Sequence, residues 1–209
     1  MRPFRHVEAA AVPLPLANVD TDQIVPARFL KRSRAEGYGE ALFHDLRRGA
    51  GGELRSDLAL NDDRFAGAQI LVAGDNFGCG SSREGAVYAL VDAGFRAVIA
   101  PGFGDIFRSN ALKNGLLPVV LPKAVVTQIM DELARGPGSP LAIDLKEETV
   151  RLADGQVLRF PIDPFPKELL LTGRDELELT LGMAEAIGEF EDRHAAAWPW
   201  TRPSEELPA

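Results

Sequence analysis

Gly74-Asp75-Asn76-Phe77-Gly78-Cys79-Gly80-Ser81-Ser82-Arg83-Glu84-Gly85 joins two apolar runs, Gln69-Ile70-Leu71-Val72-Ala73 and Ala86-Val87-Tyr88-Ala89-Leu90-Val91. The first run is short and ends in glycine, so it reads as a buried strand. The second reads as a helix packed on a sheet. The glycines between them permit positive φ and let backbone N–H groups approach a bound group closely. Ser81 followed by Glu84 has capping-box spacing, which predicts a helix start at Ser81. A helix start carries unpaired N–H donors and partial positive charge. Arg83 adds a rigid donor fork for a carboxylate. The stretch therefore reads as an anion site with a serine at its centre. It is not a P-loop, because no lysine follows the last glycine. A dinucleotide fingerprint needs glycine where Ser82 and Arg83 stand, and a nucleophile elbow fails because Ser-Arg follows Ser81. A glycine-rich turn with a capping serine and no chemistry fits the residue pattern equally well.

Downstream the pattern alternates. Arg96 to Ala100 reads as a strand, Phe103 to Lys113 as a helix and Leu116 to Leu121 as a strand. Lys123 to Ala134 reads as a helix with Val125, Val126, Ile129, Met130 and Leu133 inward. Such alternation predicts an α/β fold with βαβ units and a mainly parallel core sheet. Gly136-Pro137-Gly138-Ser139-Pro140 is a break. Leu141 to Leu145, Thr149 to Leu152 and Gln156 to Phe160 then read as short strands, with Asp154-Gly155 as a hairpin signal. They predict a smaller antiparallel portion, entered by a change of layer and not by a flexible linker. Pro166 to Leu171 reads as a short helix ended at Gly173. Asp175 to Gly188 reads as helical, and Ile187 to Ala197 continues it after a bend. The acidic residues Glu178, Glu185, Glu189, Glu191 and Asp192 suit a solvated face. The expected organisation is one domain over residues 1–200, with 201–209 a disordered tail.

Upstream, Val7 to Leu16 is apolar and carries Pro13 and Pro15, so it reads as extended. Asp20-Thr21-Asp22 supplies caps for a short helical turn ended by Pro26. Arg28, Lys31, Arg32 and Arg34 form a basic cluster, which by itself suits a solvated face. Gly37 and Gly39 give that segment freedom to move. Glu40 to Arg47 reads as a short helix with Leu42, Phe43 and Leu46 on one face. On such a helix His44 and Asp45 would not face each other, so His44 reads as structural.

The chain has 209 residues, enough for one sizeable core with a small subdomain. Its 45% hydrophobic and 26% charged content is that of a soluble globular protein. A formal net charge of −8 argues against nucleic acid as the main partner. A single cysteine excludes an internal disulfide and suits a reducing compartment. No apolar run reaches the roughly 20 residues that span a bilayer, so no membrane partner is expected. Met1-Arg2-Pro3-Phe4-Arg5-His6 lacks the apolar core of a signal peptide, which makes the cytoplasm the expected location.

Gly80-Ser81-Ser82-Arg83-Glu84 resembles the motif of the swivelling domain in the aconitase family, a β/β/α domain. Within that family the chain resembles most the separate small subunits of 3-isopropylmalate dehydratases. Asn18 to Leu30 is similar to their N-terminal motif, and Gly94 to Ala100, Phe103 to Ala111 and Asn114 to Pro118 continue the likeness. It runs, with weaker stretches, from about Phe4 to about Trp198.

The resemblance implies a hydro-lyase that interconverts 2-isopropylmalate and 3-isopropylmalate by dehydration and rehydration, a step of leucine biosynthesis. Small subunits of homoaconitate, methylmalate and citraconate hydro-lyases are similar, and a phosphate-binding module stays open as another reading of the loop. The resemblance implies Ser81 as the base, with Ser82 and Arg83 holding a substrate carboxylate. It places Asp22 near the active site, although a plain N-cap fits that residue too. It implies a loop over the substrate, with Lys31 and Arg32 as carboxylate ligands. Gly78 and Gly80 would support the anion site. The family's Lewis acid is a [4Fe–4S] cluster held by three cysteines. This chain has only Cys79, which reads as a small packed residue, so no metal site is expected in it. The cluster is expected in a large-subunit partner, forming a heterodimer that acts on a small dicarboxylic hydroxy acid.

Overall fold

A computed structural model describes residues 1–201. The expected tail at 201–209 lies, from residue 202 on, outside the described residues. By contacts the chain forms two compact units, Met1–Gly173 and the segment from Arg174 onward.

The first unit is built on a seven-stranded sheet in the order β4-β3-β2-β1-β5-β6-β7. Its strands are β1 (His6–Leu14), β2 (Ile70–Ala73), β3 (Ala97–Ala100), β4 (Leu117–Val120), β5 (Pro140–Asp144), β6 (Thr149–Arg151) and β7 (Val157–Arg159). β1 to β4 are parallel, as the strand–helix alternation predicts, whereas β5, β6 and β7 are antiparallel. The change of direction happens along β1 itself. Ala11 to Leu14 pair with Ile70 to Ala73, while His6 to Ala10 pair with Asp144 to Pro140. The antiparallel strands thus extend the same sheet and do not form another layer. Pro140, which has no N–H to donate, stands at the start of β5, where a proline is tolerated.

Both faces of the parallel strands are covered, which explains why those strands read as unbroken apolar runs. Leu71, Ala73, Val98 and Ala100 face α1 (Thr21–Ile24), α2 (Gly85–Asp92) and α3 (Asp105–Lys113). Ile70, Val72, Ala97 and Ile99 face α4 (Lys123–Arg135) and α5 (Pro164–Thr172). On α4, Val126, Ile129 and Leu133 are buried, with Val125 and Met130 partly so, matching the inward set read from the sequence. α5 ends at Gly173, whose φ of 75° is a left-handed cap.

The helix expected over Glu40 to Arg47 does not form. A 3-10 turn, Tyr38–Ala41, is followed by Phe43 at φ 51°. Phe43 is fully buried, 6.5 Å edge-on from Phe77, and its N–H donates to the Ile24 carbonyl at 2.8 Å. Core packing of the aromatic ring overrides the weak local helix preference. Without a helix, His44 and Asp45 do meet, with Nδ1 to Oδ1 at 2.9 Å. Arg28 and then His44 hold the Asp45 carboxyl well below the usual carboxylate range.

The basic segment is fastened to α2. The Arg34 Nε–H donates to Asp92 at 3.0 Å, and its guanidinium lies 4.4 Å over the Tyr88 ring. Tyr38 is 3% exposed. A Cβ at Gly39 would stand 2.6 Å from the Ala93 backbone nitrogen. Gly39 therefore permits close approach of loop to helix, a different use of glycine from the freedom of movement that the sequence suggests.

In the second unit, Asp175 caps α6 (Glu176–Leu181) in a capping box with Glu178. The helical pattern breaks at Gly182 and Met183 and resumes as α7 (Ala184–Ala197). The bend therefore falls before Ile187, earlier than the sequence suggests.

Candidate active site

The loop between β2 and α2 is held from below by Phe77. This ring is fully buried and meets Phe107 at 5.3 Å and Phe103 at 6.3 Å, both edge-on. Such aromatic pairs contribute about 0.5–1.5 kcal/mol each beyond burial. Backbone bonds pin the loop on two sides. The Phe77 N–H donates to Gly102 O at 3.0 Å, and the Gly78 N–H donates to Val19 O at 2.7 Å. The Thr21 N–H donates to Cys79 O at 2.9 Å, so Asp20 and Cys79 form a parallel bridge. Cys79 is half-buried and makes no disulfide.

Gly78 has φ 75°, and a Cβ there would overlap the Phe107 ring. Gly80 has φ 99°, with Asp20 Cβ 3.3 Å from the place of its missing Cβ. Gly78→Ala is expected to cost about 1–2 kcal/mol for the left-handed backbone, with about 1–3 kcal/mol more for overpacking. In a domain of this size the melting temperature should fall by at least ~4 °C. Thermal unfolding of the two proteins decides it, and an unchanged midpoint would show that the loop relaxes freely.

The expected helix start at Ser81 is corrected. α2 begins at Gly85, with Glu84 at the cap position and no side-chain cap. Both halves of the expected capping box are engaged elsewhere. The Ser81 Oγ lies 2.7 Å from Thr21 Oγ1, and the Glu84 carboxylate accepts from Asn114 Nδ2 at 2.6 Å. Ser81 therefore precedes the first turn of α2, and the dipole of that helix, which acts within its first turn, is not what polarises the serine. Nearer donors are available. The Arg83 N–H points at Ser81 Oγ from 3.4 Å, and the Ser81 N–H donates to Thr21 Oγ1 at 3.3 Å.

Of the residues expected from the sequence, Ser81, Arg83 and Asp22 come together. The Arg83 guanidinium is paired with the Asp22 carboxylate across the loop. Ser82 is exposed, and its carbonyl accepts from Asn110 Nδ2 at 3.3 Å. Leu30 lies 3.0 Å from the place of the missing Gly85 Cβ, which sets the basic segment beside the loop. Burial pushes the Tyr38 phenol above its ordinary value, and the Arg83 cation opposes that shift. Lys31 and Arg32 make no hydrogen bond or ion pair with the Ser81–Arg83 loop among the described residues. Arg32 is 3.8 Å from Glu40 and lies over the Phe29 ring, while Lys31 is exposed with no ion-pair partner among the described residues.

Sequence reasoning missed Thr21, Asn110 and Asn114 as supports of the site. In the sequence Thr21 stands only as part of a cap, and a side-chain bond spanning residues 21 and 81 leaves no local trace. The asparagines stand one turn apart on α3 and at its C-cap, a spacing that aims both at one neighbour.

Among the described residues no three His, Cys, Asp or Glu side chains converge as metal ligands. A cluster that takes three thiolates does not fit a chain with one cysteine. No helix among the described residues is long and apolar enough to cross a membrane.

A mixed sheet with a Gly-Ser-Ser-Arg loop over its parallel strands defines an aconitase-type domain, and residues 1–124 match the family model described as the aconitase C-terminal domain. Residues 127–164 match a model described as LeuD_N, and 179–204 match the C-terminal domain of the 3-isopropylmalate dehydratase small subunit. The chain belongs to the 3-isopropylmalate dehydratase small-subunit family. A protein of that name from Granulibacter bethesdensis is 47% identical over 209 residues, covering all of both chains. One from Anaeromyxobacter dehalogenans is 52% identical over 91% of this chain and 98% of its own. A crystal structure of 3-isopropylmalate dehydratase from Methanocaldococcus jannaschii superposes with a TM-score of 0.61 at 26% identity, over 89% of this chain and 99% of that one.

Proposed function

We propose that the chain is the small subunit of a hydro-lyase that interconverts 2-isopropylmalate and 3-isopropylmalate, working in the cytoplasm with a large subunit. The observation that carries this reading is the convergence of Ser81 and Arg83 with Thr21 and Asp22 on one pinned loop. Ser81 Oγ takes the carbon-bound proton of the substrate. Serine is a poor base in water, so the site must favour its oxyanion. The Arg83 N–H and guanidinium do so electrostatically. Ser82 and Arg83 hold one carboxylate, and Asp22 orients the Arg83 fork while leaving some of its donors free. Lys31, the less engaged of the two expected cations, takes the other carboxylate. Leu30, 40% exposed beside Gly85, offers an apolar contact that suits an isopropyl group. The iron–sulfur cluster that accepts hydroxide belongs to the large subunit. Substrate profiling of the mixed subunits tests the reading. Turnover of homoaconitate, methylmalate or citraconate in place of isopropylmalate would move it to a related hydro-lyase.

Arg83→Lys should lower kcat/KM about 10-fold or more, since a hydrogen bond to a charged group contributes roughly 1.5–3 kcal/mol. A point ammonium cannot serve Asp22 and a substrate carboxylate together as the planar fork does. Steady-state kinetics of the mixture checks this. Unchanged constants would reduce Arg83 to a surface partner of Asp22.

A further inference from the structure

We infer that Thr21 is a positioning residue for Ser81: its buried hydroxyl fixes the Ser81 side chain and donates a hydrogen bond to the Ser81 oxyanion. This inference rests on the reading of Ser81 as the base.

Thr21 is the polar side chain found in the core, at 1% exposure, among the described residues. A buried hydroxyl must be hydrogen-bonded, and packing alone would be met as well by valine, which has the same shape and no desolvation cost. The partner of this hydroxyl is Ser81. Oγ1 and Oγ stand 2.7 Å apart, and the Ser81 N–H donates to Oγ1 at 3.3 Å. The backbone holds the two residues in register, through Thr21 N–H to Cys79 O at 2.9 Å and Gly78 N–H to Val19 O at 2.7 Å. The rotamers are therefore fixed from both sides of the loop.

The proton count sets the direction. With both hydroxyls protonated, either oxygen can donate. Once Ser81 has released its proton to solvent, ready to take the carbon-bound proton of the substrate, only the Thr21 O–H can lie between the oxygens. One lone pair of Thr21 Oγ1 accepts the Ser81 N–H, which leaves its O–H free to donate to the Ser81 oxyanion. A hydrogen bond from a hydroxyl to an oxyanion is shorter and roughly twice as strong as a neutral one. When the carbon-bound proton of the substrate moves to Ser81 Oγ, Thr21 keeps its own proton throughout. At 1% exposure Thr21 cannot touch the substrate, so its effect should fall on kcat and spare KM.

The experiment measures kcat and KM of the reconstituted two-subunit enzyme carrying Thr21→Val, Thr21→Ser or Ser81→Ala, with complex formation followed by gel filtration. Thr21→Val should lower kcat about 10²-fold, the typical loss of one donor to an oxyanion. KM should stay within about 2-fold, and Thr21→Ser should keep kcat within about 10-fold of the unchanged enzyme, because the hydroxyl remains. A Thr21→Val enzyme with near-normal kcat, or one whose loss lies in KM, overturns the inference. So does a Thr21→Ser enzyme as slow as Thr21→Val, which also decides the matter if Thr21→Val fails to assemble. An active Ser81→Ala enzyme would instead remove the base assignment on which the inference rests.

Discussion

Ser81→Ala should lower the turnover of the assembled enzyme about 10²–10⁴-fold, the usual contribution of a positioned general base. The substitution removes one oxygen from a loop fixed by contacts that it does not touch. Phe77 stays packed on Phe103 and Phe107, and the Gly78 and Thr21 backbone bonds remain. Thr21 keeps the Ser81 N–H as a partner, so the folded state loses about one hydrogen bond, or ~1 kcal/mol. Assembly should therefore be normal while chemistry fails. Mixing the variant with the large subunit and following the ultraviolet absorbance of the unsaturated intermediate separates the two effects. Near-normal turnover would sink the assignment of Ser81.

The chain alone should show no hydro-lyase activity, and activity should appear only on mixing with a large subunit. The cluster proposed for the large subunit would take three thiolates, and this chain has Cys79 alone. By itself it should be folded and colourless. Substrate carboxylates that bridge the two chains should tighten their association by mass action. Anaerobic reconstitution with 2-isopropylmalate tests this. Full activity from this chain alone would refute the division of labour, as would a large subunit that is fully active without it.

The elements legible in the sequence are those whose periodicity both faces of a sheet enforce. β2, β3 and β4 fall within a few residues of their expected bounds because burial on two sides demands unbroken apolar runs, and α4 does so because its one buried face repeats with the helical period. Hidden from sequence was everything decided by a partner distant along the chain. Ser81 and Glu84 have the spacing of a cap, but Thr21 and Asn114 claim their side chains. Leu42, Phe43 and Leu46 have helical spacing, but the aromatic cluster turns Phe43 out of helix. The loop was legible as a site because glycine, serine and arginine keep their chemistry wherever the backbone takes them. The support from Thr21 was not, since a hydroxyl beside a capping aspartate looks like part of the cap.

The divided pairing of β1 has a consequence for the order in which the chain acquires structure. The first half of this strand waits for residues 140–144, and the second half for residues 70–73. On a ribosome the strand emerges early yet stays half unpaired until most of the chain is made. Pairings this far apart in sequence raise the contact order and slow folding. Until β5 arrives, His6 to Ala10 present an open edge that can pair with another nascent chain. A chain truncated before Pro140 should therefore aggregate, whereas one ending at Gly173 keeps every strand of the sheet.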